Sequence, residues 1–172
     1  MKGILYVLVA IVITASCKSG DSNQTVAPKK NSTTEINWMK IEEAEKATKS
    51  NPKDIYVMVY ADWCPKCEKF NTTTYKDPKV IKDLNENFYP VKLNAQESKE
   101  IMFNGKKYGN PNFDASKGKM DRNSYHELLF EIDAKSIPSI VVLDKELNVT
   151  GSEMGYQEAG VLRSLLKMYA SR

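Results

Sequence analysis

The 172-residue chain predicts an α/β fold: a central mixed four-stranded sheet with helices on both faces. From residue 35 onward, apolar residues at helical spacing alternate with short β-branched runs, which is typical of a partly parallel sheet. Near the C-terminus two such runs follow each other across a short polar turn and indicate an antiparallel pair. The region 35–172 is long enough to bury one sizeable hydrophobic core.

The first predicted elements are a helix and a buried strand. Trp38, Ile41, Ala44 and Thr48 recur at helical spacing and predict one apolar helix face, with Trp38 in the core. The run 55–60, Ile-Tyr-Val-Met-Val-Tyr, is short, apolar and rich in β-branched residues. It therefore predicts a buried strand.

Two further helices and a second strand follow. Helical spacing resumes after Cys64 and continues through Phe70. Asp77 predicts the N-cap of the next helix and Pro78 its first residue, because proline lacks an N–H that would have no partner there. The run 89–94 then predicts the second strand.

An insertion near residues 96–120 interrupts the alternation. Within it, Asn104-Gly105 is a strong hairpin signal. After it, Ser124 and Glu127 have the spacing of a capping box and predict the start of a helix. His126 lies inside that box, which favours a structural role over a catalytic one. The residues of the insertion leave open whether it recognises a partner or covers the sheet edge.

The C-terminal part predicts the antiparallel pair and a last helix. The run 140–143 and the segment 149–154 flank a turn at 144–148. Apolar residues at helical spacing between Val161 and Tyr169 then predict an amphipathic helix.

Composition and charge exclude several classes of protein. With 41% hydrophobic residues, the chain is not wholly disordered. Its 25 Lys and Arg against 22 Asp and Glu give a net charge of +3, too balanced for a nucleic-acid binder that works by a strong basic field. Three cysteines are too few for a disulfide-stapled scaffold.

The N-terminus predicts export. Residues 1–17 combine Lys2, an apolar run of about 18 Å as helix, and small residues before Cys17. A permanent span needs about 30 Å. The segment resembles the lipobox of bacterial lipoproteins, in which the cysteine is acylated, although Thr14 departs from the usual apolar residue. An uncleaved anchor with an incidental Cys17 is the alternative.

Residues 18–34 predict a disordered tether, because almost no aliphatic residue is present to offset the entropy of ordering. The predicted organisation is therefore a signal segment (1–17), a tether (18–34) and a folded domain (35–172). A lipid-anchored domain would face the periplasm of a bacterial cell envelope, and the inner and outer membrane both stay open.

Cys64 and Cys67 predict redox chemistry. They follow a strand and open a helix, whose N-terminus stabilises a thiolate at Cys64. Pro65 suits the first helical turn, and Lys66 adds positive charge that should lower the thiol pKa. A thiolate at Cys64 would attack a partner disulfide, and Cys67, expected to be less exposed, would resolve the mixed disulfide.

Metal binding is the alternative chemistry for this cysteine pair. A zinc site needs about four ligands, and the second pair is missing from the sequence. A purely structural disulfide is also disfavoured, because so short a loop removes little entropy from the unfolded chain. No metal and no cofactor are therefore expected.

The sequence resembles the thioredoxin superfamily over roughly residues 35–172. Residues 63–67, Trp-Cys-Pro-Lys-Cys, match its Trp-Cys-x-x-Cys motif, and 137–138, Ile-Pro, matches the proline before its third core strand. The segments 74–80 and 88–94 are similar to bacterial exported thioredoxin-like proteins, typified by the C-terminal domain of thiol:disulfide interchange proteins. Met58 departs from thioredoxin itself, which keeps a buried acid six residues before its first active-site cysteine.

The resemblance implies a catalytic pair, Cys64 and Cys67, beside a cis Pro138. Substrate would contact a rim formed by Trp63, Pro65, Lys66, Ile137 and Pro138. The implied function is an exported thiol–disulfide oxidoreductase that exchanges disulfides with protein thiols, with an electron donor or acceptor at the membrane. The direction of electron flow stays open. The competing hypothesis is a non-catalytic thioredoxin-fold lipoprotein that binds a partner through its insertion.

Overall fold

The structure is a computed structural model that describes residues 34–170. The predicted signal segment 1–17, the lipidation site Cys17 and nearly all of the tether 18–34 lie outside this range. No helix between residues 34 and 170 is long and apolar enough to cross a membrane. The helices are α1 (Ile41–Ser50), α2 (Pro65–Thr72), α3 (Pro78–Asn87), α4 (Leu128–Glu131) and α5 (Ala159–Ala170), with a 3-10 turn at Thr74–Lys76. The strands are β1 (Asp54–Tyr60), β2 (Phe88–Asn94), β3 (Ile101–Phe103), β4 (Lys106–Tyr108), β5 (Ser139–Leu143) and β6 (Val149–Met154).

The central sheet has four strands in the order β2-β1-β5-β6. Strands β1 and β2 are parallel, with Val57 opposite Val91. Strand β5 runs antiparallel to β1 and pairs Val141 with Val57, and β6 is antiparallel to β5. The predicted mixed four-stranded sheet is thus confirmed. The parallel pair is joined through α2 and α3, as a parallel connection requires a crossover.

The core lies on both faces of this sheet. Because side chains alternate along a strand, Tyr56 and Met58 of β1 face one layer, while Ile55, Val57 and Val59 face the other. The first layer includes buried residues of α2, α3 and α5, and the second includes those of α1 and the insertion. Burial on both faces explains why 55–60 reads as a continuous apolar run rather than an alternating one.

The first predicted helix is shorter at its N-terminus than its apolar spacing indicated. It begins at Ile41, so Trp38 precedes it. The backbone of Met39 is instead extended: it forms a bridge with Val91, and its N–H donates to Pro90 O at 2.9 Å. Trp38 is half-buried and packs against the first layer of the core, so it lies at the margin of the core rather than inside it as predicted.

The insertion contains a hairpin that covers the second layer of the core. Strands β3 and β4 meet at Asn104 and Gly105, whose φ angles of 48° and 73° lie in the left-handed region that such a turn requires. The hairpin buries Ile101, Phe103 and Tyr108 in that layer. This part of the insertion is therefore a structural cover.

The predicted capping box at residues 124–127 is wrong. Helix α4 begins only at Leu128, and the two polar side chains have other partners. The Ser124 hydroxyl donates to Asn110 Oδ1 at 2.6 Å, and the Glu127 carboxylate accepts the Gly109 N–H at 2.9 Å. The loop that follows the hairpin folds back at this point. The Ser124 and Glu127 side chains form hydrogen bonds with polar groups of that loop instead of capping a helix.

His126 has the predicted structural role. It is fully buried, its Nδ1 accepts the Leu128 N–H at 3.2 Å, and its Nε2 lies 3.1 Å from Lys99 O. Because Nδ1 accepts, the ring proton resides on Nε2 and is donated to that carbonyl. With both nitrogens engaged by the backbone, His126 fixes the insertion onto α4.

Candidate active site

The two cysteines lie at the turn from β1 into α2 and form a disulfide, with their Cα atoms 5.2 Å apart. Cys64 is the N-cap of α2, and its Sγ accepts the Cys67 N–H at 3.2 Å. Pro65 is the first residue of the helix, where its missing N–H costs nothing. The local sequence thus places one sulfur at the helix N-terminus and the other one turn inside.

The prediction that Cys67 is less exposed than Cys64 stays a prediction for the reduced protein, because the disulfide form buries both residues almost equally. The two residues are 3% and 4% exposed, because both pack into the first layer of the core with Met58 and Phe70. Burial therefore does not distinguish the sulfurs. Only the Cys64 sulfur accepts a helix N–H, and this contact would stabilise a thiolate after reduction.

The charged residues next to the pair face solvent. Lys66 and Glu68 are both exposed, as is Pro65. Glu68 accepts a hydrogen bond from Asn71 at 3.2 Å, consistent with a solvated helix residue. The predicted site residues Pro65 and Lys66 thus lie on the surface beside Cys64.

A half-buried lysine lies on the neighbouring strand. Lys92 of β2 pairs in register with Met58, and its Nζ donates to Asn71 Oδ1 of α2 at 2.7 Å. The ammonium also lies 4.9 Å from the ring centroid of Trp38. Burial lowers the pKa of Lys92, while the charge of Glu68 acts in the opposite direction. Where thioredoxin keeps an acid, this site has an apolar Met58 with a cation beside it.

Trp63 is held by the insertion. Its indole N–H donates to Gln96 Oε1, and the Arg122 guanidinium lies 4.4 Å above its ring. Gln96 begins the insertion and Arg122 is close to its end, so the segment borders the cysteine pair as well as the core. Sequence reasoning missed both residues, because no local signal links them to a tryptophan so far away in the chain.

The segment before β5 carries the predicted Ile137-Pro138 pair. Their peptide bond is cis, as the resemblance implies. Pro138 is buried, and its carbonyl accepts the Gly155 N–H at 2.8 Å. Ile137 is half-buried and packs against the core layer that contains both cysteines. Neither its N–H nor its C=O has a hydrogen-bond partner among residues 34–170, which leaves an open backbone edge.

Potential metal ligands are scattered. Between residues 34 and 170, no three His, Cys, Asp or Glu side chains lie close enough together to hold a metal ion.

Solved structures share this fold at low sequence identity. A thioredoxin from Thermus thermophilus is 16% identical, covers 78% of this chain and 86% of its own, and has a TM-score of 0.55. An oxidoreductase named DsbH is 15% identical over 88% of this chain and 96% of its own, with a TM-score of 0.56. A putative disulphide-isomerase from Bacteroides thetaiotaomicron is 18% identical over 78% and 88%, with a TM-score of 0.51. No curated protein matches the sequence.

The family assignment rests on the sequence as well as on the fold. The model of the thioredoxin-like domain matches residues 41–170, nearly the whole described region. That range contains the sheet β2-β1-β5-β6, the cysteine pair at the start of α2 and the cis Ile137–Pro138 bond. The chain therefore belongs to the thioredoxin-like domain family.

Proposed function

We propose that the protein is a thiol–disulfide oxidoreductase that exchanges disulfides with protein substrates through Cys64 and Cys67. The observation that carries the proposal is the position of the Cys64 sulfur. It is the N-cap of α2, accepts the Cys67 N–H at 3.2 Å, and is bonded to the Cys67 sulfur. An oxidisable pair with a stabilised thiolate is what disulfide exchange requires.

The exchange moves two electrons in two displacement steps. In the reduced protein the Cys64 thiolate attacks one sulfur of a substrate disulfide, and the other substrate sulfur leaves as a thiolate. The Cys67 thiol then loses its proton and attacks the Cys64 sulfur. This forms the Cys64–Cys67 disulfide and releases the second substrate thiol. The reverse sequence oxidises a substrate dithiol, so the direction depends on the relative reduction potentials.

Substrate would approach over the exposed surface around Cys64. Pro65 and Lys66 are exposed there, and Trp63 is half-buried under Arg122. The unpaired N–H and C=O of Ile137 offer an edge along which an extended substrate segment would add as a strand. Pro138 has no N–H, so it has no donor that could take the place of the Ile137 N–H in pairing with substrate.

The test is catalysed reduction of a protein disulfide, such as that of insulin, with dithiothreitol as electron donor. We expect wild type to turn over many substrate molecules and Cys64→Ser to fall to the uncatalysed rate, because the attacking sulfur is gone. Cys17→Ser is the matched control: it removes a cysteine outside the pair and should retain full activity. A folded wild type without activity would contradict the proposal and favour the non-catalytic binding protein.

The location is a separate proposal, supported by the sequence of residues 1–17 alone. We propose that the chain is exported and lipidated at Cys17, so that the domain works at a membrane in the cell envelope. Several buried acyl chains would hold it far better than one.

The full-length protein, expressed in a bacterium, tests this location. We expect wild type in the membrane fraction, with a mass that corresponds to an acylated N-terminal Cys17, and Cys17→Ser in the soluble fraction or unprocessed. If Cys17→Ser and wild type both keep residues 1–16 and stay at the membrane, the N-terminus is an uncleaved anchor. Activity in the disulfide assay is independent of either outcome.

A further inference from the structure

The loop between β6 and α5 contacts both halves of the candidate active site. Its first residue, Gly155, donates its N–H to the Pro138 carbonyl at 2.8 Å. Its second residue, Tyr156, packs on α2. The Tyr156 ring meets that of Phe70 edge to face, with 5.0 Å between centroids, and Lys69 Nζ lies 4.2 Å from its centroid. This short segment therefore contacts the helix that begins at the cysteine pair as well as the segment that leads into β5.

The Tyr156 hydroxyl connects this loop to the end of α2 by hydrogen bonds. It lies 3.0 Å from Thr73 Oγ1, and the Thr74 hydroxyl donates to it at 3.1 Å. Thr73 donates its own proton to Lys69 O at 2.5 Å, so the hydroxyl of Tyr156 is the donor to Thr73. Thr74 also donates to the carbonyl of Gln157 at 2.8 Å. The loop is thus bonded to two successive residues after α2.

These polar contacts fix a direction that the ring contact alone leaves free. Apolar contact is non-directional, whereas hydrogen bonds constrain both a distance and an angle. Thr73 is exposed and Tyr156 half-buried, so water can replace a hydrogen bond lost from either group. The hydroxyl therefore matters more for the orientation of the loop along α2 than for the stability of the fold.

The sheet does not by itself set the distance between the two halves of the site. The pairing of β1 with β5 ends at Val59 and Ser139, before Cys64 and Pro138 are reached. Both residues lie beyond the last paired positions of their strands. The contacts of the loop with α2 and with Pro138 join the two halves in this region.

Exchange with a protein disulfide uses both halves at once. A substrate segment paired at Ile137 must present its sulfur to Cys64. Reacting atoms must come within about 3–3.5 Å, and a misplacement of about 1 Å can lower a rate by about 100-fold. A small disulfide that does not extend along the Ile137 edge needs the Cys64 sulfur alone.

We propose that Tyr156 is a positioning residue for disulfide exchange with proteins. Through its hydroxyl it orients the loop that joins α2 to Pro138, and so sets the distance from Cys64 to the open backbone edge at Ile137. The proposal rests on the proposed disulfide exchange and adds a residue that acts through its neighbours, not on the reacting sulfurs.

Two disulfides of different size test this role. Reduced protein is mixed with insulin or with bis(2-hydroxyethyl) disulfide, which is too small to pair along Ile137. Acid quenching and mass spectrometry give the second-order rate constant for formation of the Cys64–Cys67 disulfide. Tyr156→Phe keeps the ring and loses the hydroxyl. We expect its rate constant to fall about tenfold with insulin and to stay within about twofold of wild type with the small disulfide.

Variants of Thr74 and of a second tyrosine serve as controls. Thr74→Val removes the hydroxyl that donates to Tyr156 and should show the same selective loss, while Thr74→Ser should retain the wild-type rates. The matched control is Tyr89→Phe. The Tyr89 hydroxyl donates to Asn51 O at 2.8 Å, and Lys53 Nζ lies 5.1 Å from its ring centroid. Tyr89 lies beside the start of β1, whereas the cysteines follow its end, so neither rate should change.

Urea unfolding of the same proteins is the stability measurement. Tyr156→Phe is expected to unfold at a urea concentration close to that of wild type, because Thr73 can bond to water instead. Unchanged rates of Tyr156→Phe with insulin, or equal losses with both disulfides, would overturn the inference while leaving disulfide exchange intact. Failure of wild type to react with insulin would instead contradict the proposed function.

Discussion

Replacing Cys67 with serine is expected to turn a catalyst into a covalent trap. Cys64 keeps its place as the N-cap of α2 and can still attack a substrate disulfide. The mixed disulfide then has no internal thiol to resolve it, so each protein molecule releases at most about one equivalent of substrate thiol. Mass spectrometry without reductant should show the protein joined to the substrate through one disulfide bond.

The same experiment on Cys64→Ser establishes which sulfur attacks. We expect no adduct at Cys67 of that variant, because this sulfur lies one turn inside α2, away from the N-cap position. The two residues are almost equally buried in the disulfide form, so the assignment depends on the helix N–H that Cys64 accepts. An adduct that forms on Cys64→Ser, but not on Cys67→Ser, would reverse the two roles.

The fold could be predicted from the sequence because its elements have strong local signals. The apolar run 55–60 became β1, and Asp77 with Pro78 began α3: the Asp77 carboxylate accepts the N–H groups of Lys79 and Val80 at 2.7 and 3.1 Å. Asn104-Gly105 forms the turn of the β3–β4 hairpin for the same reason. In each case residues a few positions apart determine the backbone conformation, so no knowledge of distant contacts is needed.

The site could be predicted only where its residues form a motif. Cys64 with Cys67, and Ile137 with Pro138, are neighbours in the chain. Arg122 and Gln96 reach Trp63 through tertiary contacts whose geometry depends on how the whole insertion folds. Such contacts leave no periodicity or spacing in the sequence.

The wrong capping box has a related cause. Ser124 and Glu127 have the right chemistry and spacing for a helix start, but competing partners lie elsewhere in the insertion. The local sequence predicts which backbone groups a polar side chain can hydrogen-bond to. The tertiary fold determines which of the possible hydrogen bonds actually forms. Helix α4, only four residues long, is correspondingly weak as a local element.

A buried pair of tyrosine hydroxyls carries the second large expected effect. Tyr56 of β1 is fully buried, and its hydroxyl lies 2.9 Å from that of Tyr75. The Tyr75 ring stacks on Phe70 of α2, with 5.0 Å between centroids. Neither hydroxyl has another hydrogen-bond partner in the described part of the chain. Burial raises the pKa of both tyrosines, and for Tyr75 the neighbouring Tyr56 adds to that shift.

Alkaline pH is therefore expected to destabilise the fold steeply. In the unfolded chain both tyrosines ionise near their ordinary pKa of 10.0, while the folded protein keeps them protonated to higher pH. Above pH 10 the folded state thus binds more protons, and the free energy of unfolding falls by up to about 1.4 kcal/mol per pH unit for each tyrosine. Tyr56→Phe/Tyr75→Phe should lose the share of this dependence that the two hydroxyls contribute, measured by urea unfolding at a series of pH values. Tyr60 and Tyr108, whose pKa values burial also raises, would retain the rest.

At neutral pH the same variants form a double-mutant cycle. Tyr56→Phe alone leaves the Tyr75 hydroxyl buried without a partner and should lower the free energy of unfolding by about 1–3 kcal/mol. The double variant removes both polar groups, so its loss of stability should be smaller than the sum of the losses of the two single variants. Additive costs, with an alkaline slope unchanged in the double variant, would contradict this reasoning. Phe70 of α2 packs against Tyr75 and so connects the tyrosine pair to the helix that carries the cysteines. The disulfide assay on the double variant therefore shows whether the hydroxyls affect the cysteines or only the stability of the fold. We expect activity close to wild type, since neither hydroxyl bonds to the active-site turn.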